Sequence, residues 1–110
     1  MIEMHDQKLP PLDKEGYLID LNDWSTAVAE QLATAENITL SPAHWQIIDL
    51  LREFYAQTDT APAMRALVRL ARQNIGTEQG SSVYLMGLFG GSPAKVAAKV
   101  AGLPRPTNCL

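Results

Sequence analysis

The chain reads as mainly α: an orthogonal bundle of about five helices with a small N-terminal β-hairpin and an extended C-terminal arm. Three observations predict this. Apolar residues recur at helical spacing from Trp24 to Val100. Ser41-Pro42, Ala61-Pro62 and Ser92-Pro93 each place a proline where a helix starts. After Gly102, Pro104 and Pro106 cannot continue a helix. At 110 residues the chain is one domain, 1–110, with a core large enough to need no staples and a flexible arm over 103–110. Hydrophobic content of 46% and charged content of 19% are those of a globular protein.

Residues 1–14 are polar and marked by Pro10 and Pro11. Asp13-Lys14-Glu15-Gly16 is a turn signal, and a small hairpin pairing 7–9 with 17–19 is expected there. It is too small to stand alone and must pack on helices. Asn22 or Asp23 then caps a first helix that buries Trp24, Val28 and Leu32 and fades at Glu36-Asn37. Trp24 is read as core rather than as a stacking platform. From Ser41-Pro42, the stripe Trp45, Ile48, Leu51 and Tyr55, broadened by Ile47, Leu50 and Phe54, marks the expected central helix. His44 in its first turn is read as exposed or capping, in preference to a general base.

Gln57–Thr60 is a polar break, and the next helix runs from Ala61-Pro62 to Gly76. Met64, Leu67, Val68, Ala71 and Ile75 share its apolar face, flanked by Arg65, Arg69 and Arg72 at i, i+4 and i+7. That basic strip is either a solvated face or a docking strip for the tail's carboxylate, an acidic partner or tRNA phosphate, since the arginine fork binds both oxygens of either anion. A short helix follows from Ser81 or Ser82 through Tyr84, Leu85, Leu88 and Phe89, with Tyr84 read as packing. The last helix is alanine-rich, with Lys95 and Lys99 four apart. Small residues let it pack closely.

The tail carries the only cysteine, Cys109. One cysteine excludes an internal disulfide framework, and with two histidines it makes no zinc pattern, so no metal or cofactor is expected. Pro104 and Pro106 push Leu103 and Arg105 toward extended conformations. At ~3.1 Å per residue the arm from Gly102 to Cys109 reaches on the order of 20 Å. A solvent-reachable thiol on such an arm suits handing something from one partner to another. Arg105 favours its thiolate, while an adjacent terminal carboxylate opposes it. No neighbouring His or acid completes a catalytic pair, so the thiol reads as a carrier activated by its partners rather than a self-contained enzyme. The alternative is a stray cysteine on a frayed end. No basic segment precedes a long apolar run, so neither signal peptide nor membrane span is expected, and the cytoplasm is the default. The net charge of −3 argues against a dedicated nucleic-acid binder.

PAKVAAKVAGLPRPTNCL, with EGYLIDLNDWS, LSPAHWQIIDLLREFY, APAMRALVRLA and YLMGLF in order before it, resembles the DsrC/TusE family. The resemblance implies a helical fold and a persulfide carried on Cys109. Family members that work with dissimilatory sulfite reductase have a second cysteine eleven residues earlier, where this chain has Ala98. That departure is similar to the TusE branch, which relays sulfur toward 2-thiolation of the tRNA wobble uridine. Implied partners are a TusBCD-type sulfur donor complex and a tRNA 2-thiouridylase as acceptor, with tRNA met only indirectly. Arg65, Arg69, Arg72 and Arg105 are the candidate partner-binding residues. Gly90 and Ser92 depart from the family's Pro and Gly at the entry to the last helix. Two rival readings follow from the same resemblance: a single-cysteine protein of sulfur oxidation or dissimilatory sulfur metabolism, and a helix-turn-helix DNA-binding regulator using the helices near 61–75 and 81–89. Against the second stand the acidic charge and the lack of Asn, Gln and Arg on the short helix.

Overall fold

Three serines decide where helices begin. The hydroxyls of Ser25, Ser41 and Ser81 accept from the backbone N–H groups of Val28, His44 and Tyr84, each an N-cap contributing ~1 kcal/mol. The computed structural model describes residues 9–106. Within them five helices follow a single 3-10 turn at Leu21–Asp23: α1 Thr26–Ala35, α2 Pro42–Thr58, α3 Met64–Asn74, α4 Ser82–Phe89 and α5 Pro93–Val100. The mainly helical class therefore holds.

Several boundaries differ from expectation, each for a local reason. Trp24 does not lie on α1. Asp20 caps the preceding 3-10 turn, Trp24 is extended (φ −74°, ψ 142°), and Ser25 takes the helix start. Helix α2 runs through Gln57 and Thr58 because both stay on its wet face, Thr58 donating to the Phe54 carbonyl at 2.9 Å and Gln57 to Glu53 at 3.2 Å. It stops where Asp59 turns left-handed (φ 60°). Ala61 and Pro62 are buried in the α2–α3 connection instead of opening α3.

The expected hairpin is corrected. Among the described residues there is no strand, only an isolated antiparallel bridge between Leu12 and Leu18. Residues 17–19 face 11–13 rather than 7–9: Asp13 N–H donates to the Tyr17 carbonyl at 2.8 Å and Ile19 N–H to the Pro11 carbonyl at 3.2 Å. Residues 7 and 8 lie outside the described part. The Asp13 carboxylate accepts from the N–H groups of Glu15 and Tyr17, at 2.8 and 3.0 Å, and closes the turn early. Pro10 and Pro11 then have no N–H with which to lengthen the ladder.

The central helix is α5, not α2. It packs against α1, α2, α3 and α4. Ala97 and Ala98 on it and Ala101 at its C-terminal cap are wholly buried, so four neighbours approach an almost bare backbone. The bulk that fills the core comes from those neighbours: Leu32 of α1, Ile47, Ile48 and Leu51 of α2, Leu67 of α3 and Leu85 of α4. An apolar stripe reports burial, and α2 is buried, but the hub is the helix that gives up side-chain volume. No described helix is long and apolar enough to cross a membrane.

Candidate functional site at the root of the tail

The last carbonyls of a helix have no partner within it. At the end of α5 all are taken, in two different ways. Leu103 N–H returns to the Ala98 carbonyl at 2.9 Å and Gly102 N–H to the Lys99 carbonyl at 3.1 Å, a Schellman ending with Gly102 left-handed (φ +75°). The next two carbonyls are held by side chains far away in sequence. Trp24 Nε1 donates to the Val100 carbonyl at 2.9 Å, and Arg52 Nη1 donates to the Ala101 carbonyl at 2.7 Å. The Arg52 guanidinium lies 3.8 Å from the centre of the Trp24 ring. Burial lowers the pKa of Arg52 from its ordinary value, and Asp49 works against that shift. Gly102 sits so close to the indole that a Cβ built on it would stand 2.2 Å from Trp24 Cδ1.

The tail's first residues are also held. Leu103 and Pro106 are buried. Arg105 donates to Glu15 Oε1 at 2.6 Å and Asp13 Oδ2 at 3.0 Å, and its guanidinium stands 5.1 Å from the Tyr17 ring centre. Lys99 is 5.4 Å from that same ring centre and pairs with Glu36 at 2.9 Å. The Tyr17 N–H bond foremost, with help from the Glu15 N–H and the Arg105 charge, holds the Asp13 carboxyl below the ordinary carboxylate range against some desolvation. The Arg105 pairs are solvent-exposed, and screened pairs of this kind add little to stability. They can be exchanged for other partners at little cost.

The other predicted residues fall apart into separate places. Cys109 lies outside the described residues. Arg65 and Arg69 are exposed on α3, with no side-chain partner among the described residues. Arg72 is employed internally: its Nη2 donates to the Gly80 carbonyl at 2.9 Å and secures the α3–α4 loop. Arg105 pairs with the 13–17 turn and not with the α3 strip. His44 is buried rather than exposed, and it caps. Its Nδ1 accepts from Ser41 N–H at 3.0 Å, which places the ring proton on Nε2, 2.8 Å from the Leu88 carbonyl. With both nitrogens engaged it has no free lone pair for a thiol.

Helix α4 presents Val83 (82% exposed) and Met86 (46%) to solvent. It carries no Asn, Gln, Lys or Arg between Ser82 and Phe89. Arg or Lys to guanine and Asn or Gln to adenine are the main bidentate base-edge contacts, and α4 offers none of them.

A family model described as "DsrC like protein" matches residues 3–110. The chain belongs to the DsrC-like family. Among members, the "Sulfurtransferase TusE" of Sodalis glossinidius is 53% identical over 98 residues, 89% of this chain and 91% of that protein. The solution structure of Allochromatium vinosum DsrC superposes with a TM-score of 0.85 at 46% identity, covering 99% of this chain and 96% of that one. The oxidized γ-subunit of dissimilatory sulfite reductase (DsrC) from Archaeoglobus fulgidus does so at 0.80 and 36% identity, covering 92% of each. The five-helix arrangement is thus that of DsrC. Sequence reasoning missed the Trp24–Arg52 brace of this DsrC-like chain. A half-buried indole N–H demands an acceptor, but nothing in the order of residues names Val100 as that acceptor.

Proposed function

We propose that this DsrC-like protein is a sulfur carrier of the TusE type, taking sulfane sulfur as a persulfide on Cys109 and relaying it to a downstream acceptor. The observation that carries the reading is the 53% identity to a sulfurtransferase TusE over 89% of the chain. The presence of one cysteine in the whole sequence leaves one place for the sulfur to sit. The Cys109 thiolate attacks the outer sulfur of a donor persulfide. The donor's S–S bond breaks, an S–S bond to Cys109 forms, and the donor leaves as a thiolate; no outside oxidant or reductant enters. The same exchange, run against an acceptor thiol, unloads it.

The donor that fits is a TusBCD-type complex and the acceptor a tRNA 2-thiouridylase, with thiolated tRNA as the end product. Free thiol chemistry of this kind belongs in a reducing compartment such as the cytoplasm. Arg105, and with it Arg65 and Arg69, are the cations available to an acidic partner surface. The likeness to the DsrC γ-subunit of a dissimilatory sulfite reductase supports a second reading, a single-cysteine role in sulfur oxidation or dissimilatory sulfur metabolism. Ala98, wholly buried in α5, carries no thiol to pair with Cys109, so on either reading the sulfur rides on one cysteine.

Intact-mass measurement after exposure to polysulfide tests the carrier. The wild type gains sulfur atoms removable by dithiothreitol, and Cys109→Ser gains none while keeping its helical circular dichroism. A serine variant that still takes up sulfur refutes the assignment.

A further inference from the structure

The two side chains that close α5 do more than satisfy carbonyls. A helix end at the surface can leave its last C=O groups to water. Here the Val100 and Ala101 carbonyls are gripped by an indole and a guanidinium that reach across 76 and 49 residues of sequence and stack on one another at 3.8 Å. Gly102 is pressed against the indole so tightly that no side chain fits. The backbone therefore leaves the helix against a fixed plate. Leu103 is buried immediately after it, and Pro106 is buried next to the point where the described residues end.

We propose that Trp24 and Arg52 are positioning residues for Cys109. By fixing the plane against which Gly102 turns, they set the direction in which the tail departs and hence the region its thiol samples. The inference rests on the reading of Cys109 as the sulfur carrier. Cys109 is three residues beyond Pro106 and so can lie no more than about 11 Å from it even at full extension. A fixed departure therefore confines the thiol to one side of the body and raises its effective concentration there. Neither side chain alters the reactivity of the sulfur itself. They touch the reaction only through where the sulfur is.

Because Cys109 is the sole cysteine, a nitroxide attached to it reports its position without further engineering. Paramagnetic broadening of backbone amides should be confined to one side of the wild-type body. In Trp24→Phe, which keeps a ring beside Gly102 but loses the N–H, and in Arg52→Gln, the strongest broadening should fall by about two-fold or more and spread to new amides, as expected when local concentration drops. Arg52→Lys, which retains a cationic donor, should restore part of the wild-type pattern. Amide chemical shifts away from α5 report whether each variant is folded; if one is not, the other two carry the comparison.

Alkylation of Cys109 by iodoacetamide and its loading by polysulfide should match wild type in every variant. Transfer from the loaded protein to a tRNA 2-thiouridylase should slow by about ten-fold in kcat/KM. Wild-type broadening spread over the whole surface, or folded variants whose broadening matches wild type, overturns the positioning role. Failure of the wild type itself to load overturns the carrier reading instead.

Discussion

Replacing Gly102 with alanine tests the close approach on which the tail's root depends. Two costs add. A left-handed Ala (φ +75°) is unfavourable by ~1–2 kcal/mol. The new Cβ would stand 2.2, 2.6 and 2.9 Å from Trp24 Cδ1, Cγ and Cβ, so the indole must move. That releases the Val100 hydrogen bond, ~1 kcal/mol, and the Arg52 stack, ~0.5–1 kcal/mol. Allowing for the smaller unfolded-state entropy of alanine, the net loss is ~3 kcal/mol. In urea this moves the midpoint down by ~2 M at an ordinary slope for a chain of this size. Gly16→Ala is the matched control. Gly16 has φ +91°, but its new Cβ meets only the flexible end of Lys99 at 3.5 Å, so ~1 kcal/mol is expected. Fluorescence-monitored urea unfolding of the two variants measures the difference, and only two tryptophans contribute to the signal. Equal losses would refute the claim that Trp24 is wedged against the chain at Gly102.

Other outcomes follow from described contacts. His44→Ala leaves the Ser41 N–H and the Leu88 carbonyl without their partner and should lower stability by ~2–4 kcal/mol, read by thermal unfolding, with sulfur loading unchanged. Ala97→Leu crowds a wholly buried site on α5 and should cost ~1–3 kcal/mol or more, whereas Lys95→Ala on the exposed face of the same helix should stay within ~0.5 kcal/mol. Asp13 titrates below its ordinary value of 3.8. Its contribution to the turn is therefore complete above that value and is lost as pH falls through the lower folded one. Carboxyl NMR should show Asp13 titrating below a free aspartate, and Asp13→Asn should abolish the acid-induced shift of the Tyr17 backbone N–H that the carboxylate accepts at 3.0 Å.

What could be read from the residue order follows from which forces act locally. Serine and proline at helix starts act within one turn, so Ser41-Pro42, Ser81 and Pro93 mark true beginnings. Gly102 was legible as a helix end for the same reason. Where two local signals compete, order alone misleads: Asp20 and Ser25 both cap, and between them they leave Trp24 outside α1. Contacts across the chain were not legible at all. Nothing near Arg52 points to the Ala101 carbonyl, and nothing near Arg105 points to Asp13 and Glu15. The hub was misjudged because periodicity weighs side chains by hydrophobicity, and alanine scores little while sitting where four helices meet. The Arg65, Arg69 and Arg72 strip was visible as a pattern, yet the Gly80 carbonyl that occupies Arg72 could not be seen until the α3–α4 loop was in place.

The bareness of α5 has a consequence for how this chain can drift. Ala94, Ala97, Ala98 and Ala101 are buried where four helices close on this one, so an enlargement at any of them presses into packed neighbours. Saturation mutagenesis scored by solubility should find those four positions nearly immutable, while the outer side of α4, where Val83 and Met86 face water, accepts almost any residue. Variation among descendants would then collect on the outer face of α4.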